Sequence, residues 1–311
     1  MTAGGKLKRK ERMSTVLSIA LLLLSLYFSG AISSAVRDSL KMCINSVVPT
    51  VFPFMIISEF ISASASSPGP LSRIFGKIFG MNDRAACAYA VGCTCGFPVG
   101  AKSACDLRRT GIIGRDESER LMAISNSASP AFVIAAVGAG MRGSISDGIA
   151  LYSITLISSA ITGIILRGRR KNEGQSDTES RCGDVRENSF ELVRSVRNAA
   201  ENTLYICAFT AMFGAVYAIA GKCIKSGWLY LAIAVTGEVS SAASFLSSPD
   251  VSEPLSFILT AFALSFTGLS VFLQSAVFAA GTDIRMHRYL IFKLLQGIVA
   301  SLVATALVIA I

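Results

Sequence analysis

The 311-residue chain is too apolar for an ordinary water-soluble domain, since 52% of its residues are hydrophobic and 16% are charged, against roughly 25% charged in typical soluble proteins. In a membrane protein the net charge of +9 reports orientation through the positions of Lys and Arg, so it does not point to nucleic acid. The eight cysteines form no disulfide or zinc spacing, and the single His287 lies away from any nucleophile motif. We therefore expect no enzymatic activity, no metal site and no cofactor.

Long uncharged segments predict the spanning helices, because each approaches the ~20 residues that a helix needs to cross a bilayer. The first segment follows the basic stretch from Lys6 to Arg12, so residues 1–36 are expected to form an uncleaved signal-anchor helix with a cytoplasmic N-terminus. Another segment is interrupted by Glu59 but continues beyond it. About seven spanning helices are thus expected, over residues 13–36, 43–61, 121–141, 148–166, 202–221, 254–282 and 294–311.

Two further apolar segments, 85–107 and 228–247, are interrupted midway by turn residues and predict re-entrant helical hairpins. Some twenty residues cannot cross a ~30 Å hydrocarbon core twice at about 1.5 Å per residue, but two half-helices can enter and return. A single kinked spanning helix is the alternative in each place. The charges favour the hairpins, because with both of them re-entrant 24 of the 29 Lys and Arg residues fall on the cytoplasmic side.

The two halves of the chain show the same order of elements. The first repeat, 37–166, contains a helix, the hairpin 85–107, a broken helix 118–141 and a linking helix 145–166. A basic cytoplasmic linker, 167–197, leads to the second repeat, 198–311, with a helix, the hairpin 228–247, a broken helix 253–282 and a final helix 290–311. An odd number of spans separates the repeats, so we expect an all-α membrane protein built as an inverted repeat, an architecture of many secondary transporters.

The tip of the first hairpin predicts an anion site. Glycines allow the reversal at Gly96 to Gly100, and the half-helix that follows presents unpaired N–H groups and the positive end of its dipole. Lys102 adds a full charge there, unless it extends to the cytoplasmic surface beside Arg108. At the second tip, Glu238 has three alternatives: it pairs with Lys102, it binds a proton or a cation, or it caps the next half-helix.

The breaks in the two long helices, Asn126 to Pro130 and Phe266 to Ser270, add neutral hydrogen-bonding groups. Ser and Thr also serve ordinary helix packing in membranes, which is the alternative for each hydroxyl. Soft-metal binding at Cys93 and Cys95 has only two thiols to support it. The candidate solute-binding residues are Gly96, Phe97, Pro98, Val99, Gly100, Lys102, Ser103, Asn126, Ser127, Ser129, Thr236, Gly237, Glu238, Ser240, Thr267, Gly268, Ser270 and Gln274.

Several of these motifs together resemble a known family. They are Val48 to Phe54, Cys95 to Lys102, Glu119 to Pro130, Thr236 to Glu238, and Gly268 to Val271 with Gln274 and Gly281 to Asp283. From about residue 40 onward, the chain resembles the YlbJ-type (SpoVV) sporulation integral membrane proteins. These belong with the nucleoside-recognition Gate domains, which are related to concentrative nucleoside transporters and to the membrane part of ferrous-iron permeases.

The resemblance implies a transporter of dipicolinic acid, placed in the outer forespore membrane of an endospore-forming bacterium and moving its solute from the mother cell toward the forespore. The expected partners are a small anionic solute and membrane lipid, with no nucleic acid. Whether the chain forms a homo-oligomer is left open. A nucleoside or ferrous-iron permease is the second hypothesis. The third, from another class, is a non-transporting membrane scaffold for spore assembly.

Overall fold

The computed structural model describes residues 15–16, 18–20, 22–49, 52–53, 55–57, 70–168, 188–248 and 251–310, and within these ranges the chain is all-helical, as predicted. The first part contains α1 (Ser29–Met42), a π-helix π1 (Cys43–Val47), α2 (Pro70–Phe79), α3 (Asp83–Cys95), α4 (Val99–Arg109), α5 (Arg115–Ser125), a second π-helix π2 (Ala131–Met141) and α6 (Ile145–Ile165). The second part contains α7 (Asn188–Cys223), α8 (Gly227–Gly237), α9 (Val239–Leu246), α10 (Glu253–Phe266), α11 (Gly268–Ala279) and α12 (Met286–Ala310).

Four stretches of the described chain are long and apolar enough to cross a bilayer: Ile145–Ile165, Leu192–Cys223, Glu253–Ala279 and Met286–Ala310. A fifth is formed if Ser18–Tyr27 and Ser29–Asn45, which meet at 86°, count as one span. That bend interrupts the predicted first span, 13–36. Residues 50, 51, 54 and 58–61 of the predicted span 43–61 and most of the predicted linker 167–197 lie outside the described residues. The protein thus has several membrane-capable helices, while the count of seven stays a prediction.

Both segments predicted as hairpins consist of two short helices that pack side by side. In the first, α3 and α4 meet at Gly96 to Pro98; in the second, α8 and α9 meet at Glu238. The start of α3 is fixed by Asn82, whose side chain accepts a hydrogen bond from the Arg84 N–H at 2.9 Å, an ordinary N-cap. Whether these pairs re-enter a bilayer stays a prediction, but their lengths of 8 to 13 residues are those of half-helices.

One end of the molecule collects residues that the sequence assigned to the cytoplasm, and we call it the basic end (residues 108–120, 166–168 and 283–288). Arg108 donates to Asp283 at 2.8 and 3.0 Å, which lowers the pKa of that carboxyl below its ordinary value. Arg120 donates to the Leu166 carbonyl at 3.3 Å. The Asn82 N–H donates to Glu117, so the base of the first hairpin lies at this end.

A second ion-pair group marks the opposite end, which we call the Arg142 end (residues 142–147 and 253–256). The Arg142 side chain is only 2% exposed and donates to Asp147 at 3.1 Å, to the Ser256 hydroxyl at 2.7 Å and to Glu253. The 21 residues of α6 separate the two ends by about 30 Å. Ser256 also donates to the Leu246 carbonyl at 2.6 Å, so the second hairpin has its base at this end.

The two broken helices therefore cross the molecule in opposite directions. The pair α5–π2 begins at the basic end and finishes at Arg142, whereas α10–α11 begins at Glu253 and finishes beside Asp283. The hairpins likewise approach the centre from opposite ends. The helix α4 of the first half packs on α11 of the second, and α9 of the second packs on π2 of the first. A shared apolar cluster, including Phe97 and Phe132 from the first half with Val239 and Val271 from the second, joins the halves.

Candidate solute site at the two helix breaks

The first hairpin tip lies directly on the first helix break, and only glycine permits this approach. A Cβ at Gly100 would lie 2.3 Å from the Ser125 carbonyl oxygen, and one at Gly96, where φ is +82°, would lie 2.7 Å from the Ser129 Cβ. Both distances are far below van der Waals contact. The tip residues Gly96 to Gly100 are all buried. The residues at which the chain reverses direction are therefore also the residues that pack against the helix break.

The second tip meets the second break in the same way. Thr267 and Gly268 have φ of +66° and +75°, and a Cβ at Gly268 would lie 2.9 Å from the Gly237 carbonyl oxygen. A non-glycine residue in the left-handed region is uncommon, and here it lets α10 end and α11 begin within a single turn. The two units thus repeat one design, a glycine-lined tip seated on a helix break.

Glu238 acts as the cap of α9. Its two carboxylate oxygens accept hydrogen bonds from the Ser240 N–H at 2.9 Å and the Ser241 N–H at 2.7 Å, and the residue is 2% exposed. Of the three alternatives that the sequence left open, the structure shows the cap. By contrast, α4 has no side-chain cap at its N-terminus, which follows Pro98. The positive N-terminal end of α4 is therefore not neutralised by a capping side chain. The N-terminal end of α9 is neutralised by Glu238.

Most of the predicted solute-binding residues are buried near the two tips and breaks. Lys102, Ser103 and Thr236 are half-buried, and the other members of the set are buried. Lys102 is not among the residues that line the small apolar pocket between the first tip and the second half, which is formed by Pro98, Tyr205, Phe209, Gln274, Val277 and Phe278. The role of Lys102 as an anion ligand stays a prediction.

The first break is connected to the second half by hydrogen bonds that the sequence did not predict. Asn126, fully buried, donates through its side-chain amide to the Ser275 hydroxyl at 2.9 Å and to the Tyr289 hydroxyl at 2.8 Å. Lys293 donates to the Asn126 carbonyl at 3.1 Å and to the Gln296 side-chain oxygen at 2.8 Å. These residues, Asn126, Ser275, Tyr289, Lys293 and Gln296, form what we call the break cluster.

Sequence reasoning missed Lys293 because the residue lies just before the predicted span 294–311, near the start of the predicted final helix 290–311, and was counted among the cytoplasmic Lys and Arg residues. The structure starts the last helix at Met286 instead, so Lys293 lies two turns inside it and is 1% exposed. One signal was present: Lys293 is the sole charged residue from Tyr289 to the C-terminus, and an isolated charge in an apolar helix is a functional candidate. Ser275, Tyr289 and Gln296 carry no comparable signal.

Polar atoms without a partner remain around the break cluster. Among the described residues, the Asn126 side-chain oxygen, the Gln296 side-chain nitrogen and the Gln274 side-chain oxygen are buried and accept or donate no hydrogen bond. Buried polar atoms are nearly always paired, because an unpaired one costs about 1–3 kcal/mol. Two of these atoms, on Asn126 and Gln296, belong to residues that both bind Lys293, and they indicate a site suited to water or a polar solute.

A buried ion-pair cluster closes the basic end beyond the break. The Glu119 side chain, 0% exposed, accepts from the Arg285 side chain at 2.9 Å and from Arg288 at 2.9 Å. The hydrogen bond to Glu119 raises the pKa of Arg285 above its ordinary value. Together with Arg142 and Glu253 at the other end, this cluster ties the start of each broken helix to the segment that follows the other.

These features define an all-helical membrane protein with two oppositely directed broken helices. Each helix break contacts a hairpin tip and contains buried polar residues. The chain is 26% identical over 306 residues, covering 86% of this chain and 75% of the relative, to the sporulation integral membrane protein YlbJ of Bacillus subtilis (strain 168). This similarity confirms the resemblance to the YlbJ-type proteins and supports a YlbJ-type assignment. No family model matches the chain, and no solved structure matches it.

Proposed function

We propose that this chain transports a small anionic solute across a membrane of the sporulating cell, and that dipicolinic acid, passed from the mother cell across the outer forespore membrane, is that solute. The observation that carries the proposal is the buried polar layer where a hairpin tip, the first helix break and the last helix meet. Polar and ionisable groups at membrane depth are costly, and in transporters they lie at the solute pathway between inverted repeats.

The electrostatics of this layer favour an anion over a cation. Two basic side chains, Lys102 and Lys293, belong to the first tip and the break cluster, while the acidic residue of the second tip uses both oxygens to cap α9. The N-terminus of α4 adds the positive end of a helix dipole. Dipicolinate is a planar dianion at neutral pH, and it suits a site with these charges.

The similarity to a sporulation integral membrane protein supports a membrane role in sporulation. The location in the outer forespore membrane is a more specific part of our proposal. The proposal makes the chain a carrier with no chemical step. The same architecture would serve a nucleoside or ferrous-iron permease, so the solute has to be tested directly.

The test combines spores and vesicles. Deleting the gene should leave dipicolinate in the mother cell and deplete it in spores, and the intact chain should restore it. Purified chain in proteoliposomes should take up labelled dipicolinate, with uridine and Fe²⁺ as competing solutes in parallel vesicles. Uptake of uridine or Fe²⁺ but not of dipicolinate would overturn the anion assignment. Spores that assemble poorly, with vesicles that take up none of the three, would support a scaffold instead.

A further inference from the structure

Lys293 lies inside the protein, and no acidic partner for its side chain is found among the described residues. Its side chain is 1% exposed, and its two hydrogen bonds go to neutral oxygens of Asn126 and Gln296. Among the described residues, no carboxylate lies within ion-pairing distance of it, although Glu119 and Glu238 are also buried. Both of those acids already bind other groups. A buried charge of this kind is retained only where something compensates it.

The C-terminal end of α5 compensates part of the positive charge of Lys293. Asn126 is the C-cap of α5, so the Lys293 ammonium lies at the negative end of that helix dipole. The end of a helix carries roughly half an elementary charge, whereas the ammonium carries a full one. When Lys293 is protonated, an excess of positive charge therefore remains, and a second negative group at this place would balance it.

The hydrogen-bonding groups beside Lys293 match a carboxylate. Because the Gln296 side-chain oxygen is bound to the ammonium at 2.8 Å, its amide nitrogen, which is buried and has no acceptor among the described residues, lies close to the same charge. Two adjacent N–H donors, one of them charged, suit the two oxygens of a carboxylate. The unpaired Asn126 side-chain oxygen is an acceptor, and it suits a water molecule or a donor on the solute.

The position is that of a solute site between the two halves. Asn126 belongs to the first break and bonds Ser275 of α11 and Tyr289 of α12, so a group bound here would contact both halves. Gly96 and Gly100 of the first tip are in close contact with the same break, at Ser129 and Ser125.

We propose that Lys293, with the amide nitrogen of Gln296, binds a carboxylate group of the transported solute at the first helix break. The proposal rests on the transport function proposed above and specifies where the negative charge of the solute is held. It differs from a purely structural role, in which the ammonium only neutralises the end of α5. In that role, loss of the charge would destabilise the protein, and any change in affinity would be the same for charged and neutral solutes.

The experiment measures equilibrium binding to the purified full chain in lipid nanodiscs. The probes are dipicolinate, isophthalate, which has the same two carboxylates without the ring nitrogen, and the neutral dimethyl ester of dipicolinate. We expect Lys293→Gln to weaken dipicolinate and isophthalate binding by roughly ten- to a hundredfold, the loss expected for one charged hydrogen bond. Binding of the neutral ester should change little, and Lys293→Arg should retain part of the affinity.

Matched variants separate the binding role from folding. Thr260→Val serves as the control, since Thr260 is equally buried but bonds only the Ser256 carbonyl within its own helix, at 2.7 Å; carboxylate affinity should stay unchanged. Gln296→Leu, which removes the second donor, should reduce affinity by less than Lys293→Gln. If Lys293→Gln unfolds, the intermediate effects of Lys293→Arg and Gln296→Leu still test the site.

Failure of this inference is distinguishable from failure of the transport proposal. If the unmodified chain binds both carboxylates and Lys293→Gln binds them equally well, the site is elsewhere while the transport of an anion stands. If the unmodified chain binds no carboxylate, the inference is overturned, and dipicolinate accumulation in spores decides the function separately. Carboxylate binding that depends on Lys293 without any dipicolinate uptake would support the site and redirect the search to another carboxylate solute.

Discussion

The first and second tip-and-break units share a backbone design and differ in charge. Both seat a glycine-lined tip on a broken helix, at Gly100 in the first unit and at Gly268 in the second. In the first unit, the N-terminus of α4 has no side-chain cap, Lys102 lies on α4, and Lys293 of the last helix bonds the break. In the second unit, Glu238 neutralises the N-terminus of α9. The first unit is therefore suited to hold an anion, while the positive helix end of the second is already balanced by a carboxylate of the protein itself.

The largest expected effect is an all-or-none difference in sidedness between the two hairpin bases. Single cysteines at Thr110 and Ser248, in a background without other accessible cysteines, should be labelled by a membrane-impermeant maleimide from opposite faces of the membrane. The reason is that Thr110 follows the first hairpin at the basic end, while Ser248 follows the second at the Arg142 end. Labelling of both positions from the same face would contradict opposed re-entrant hairpins.

The next largest effect is on folding at the contact between tip and break. Gly100→Ala places a Cβ 2.3 Å from the Ser125 carbonyl oxygen. Because a clash with the backbone cannot be relieved by a rotamer change, we expect the free energy of unfolding to fall by about 1–3 kcal/mol or more. The folded fraction after size-exclusion chromatography in detergent measures it. Gly227→Ala is the control, because no atom lies within 4 Å of its added Cβ. Equal yields of the two variants would show that the tip does not need this approach.

A graded effect on transport is expected at the first tip. Lys102→Gln should reduce dipicolinate uptake by roughly ten- to a hundredfold, as for one charged hydrogen bond of about 1.5–3 kcal/mol, and Lys102→Glu should reduce it further. Arg108→Gln should have a smaller effect, because Arg108 lies nearer water and pairs with Asp283. Uptake is compared at equal protein amounts. Normal uptake by Lys102→Glu would remove Lys102 from the anion pathway, and gain of Fe²⁺ uptake would favour a cation carrier.

The smallest effect is expected at the second tip. Glu238→Ala removes the cap of α9 and should lower the free energy of unfolding by about 1 kcal/mol, seen as a small fall in Tm in detergent. Solute affinity should change little, since both carboxylate oxygens of Glu238 already accept hydrogen bonds from α9. Glu201→Ala, at an exposed carboxylate whose partner Arg197 is one turn away, is the control and should change stability by less than about 0.5 kcal/mol. A large loss of transport with unchanged stability would instead assign Glu238 to the solute or to a coupling ion.

The features that depend on local pattern could be predicted from the amino-acid sequence. Uncharged run length identified a membrane protein, and turn residues located the interruptions at Gly96 to Pro98, Asn126 to Pro130 and Thr267, where the helices end in the structure. These are properties of neighbouring residues, since glycine and proline act on the backbone at their own positions. Similarity to the YlbJ relative extends over most of the same chain.

Which polar groups contact one another could be seen only in the folded protein. Lys293 bonds Asn126 across 167 residues and Arg285 bonds Glu119 across 166 residues, separations at which no periodic pattern carries information. The sequence therefore counted Lys293 among the cytoplasmic basic residues, and it left Glu238 with three roles where the structure shows a cap. The physical reason is that burial of a charge depends on how helices from both halves pack, whereas the position of a helix break depends on the residues at the break.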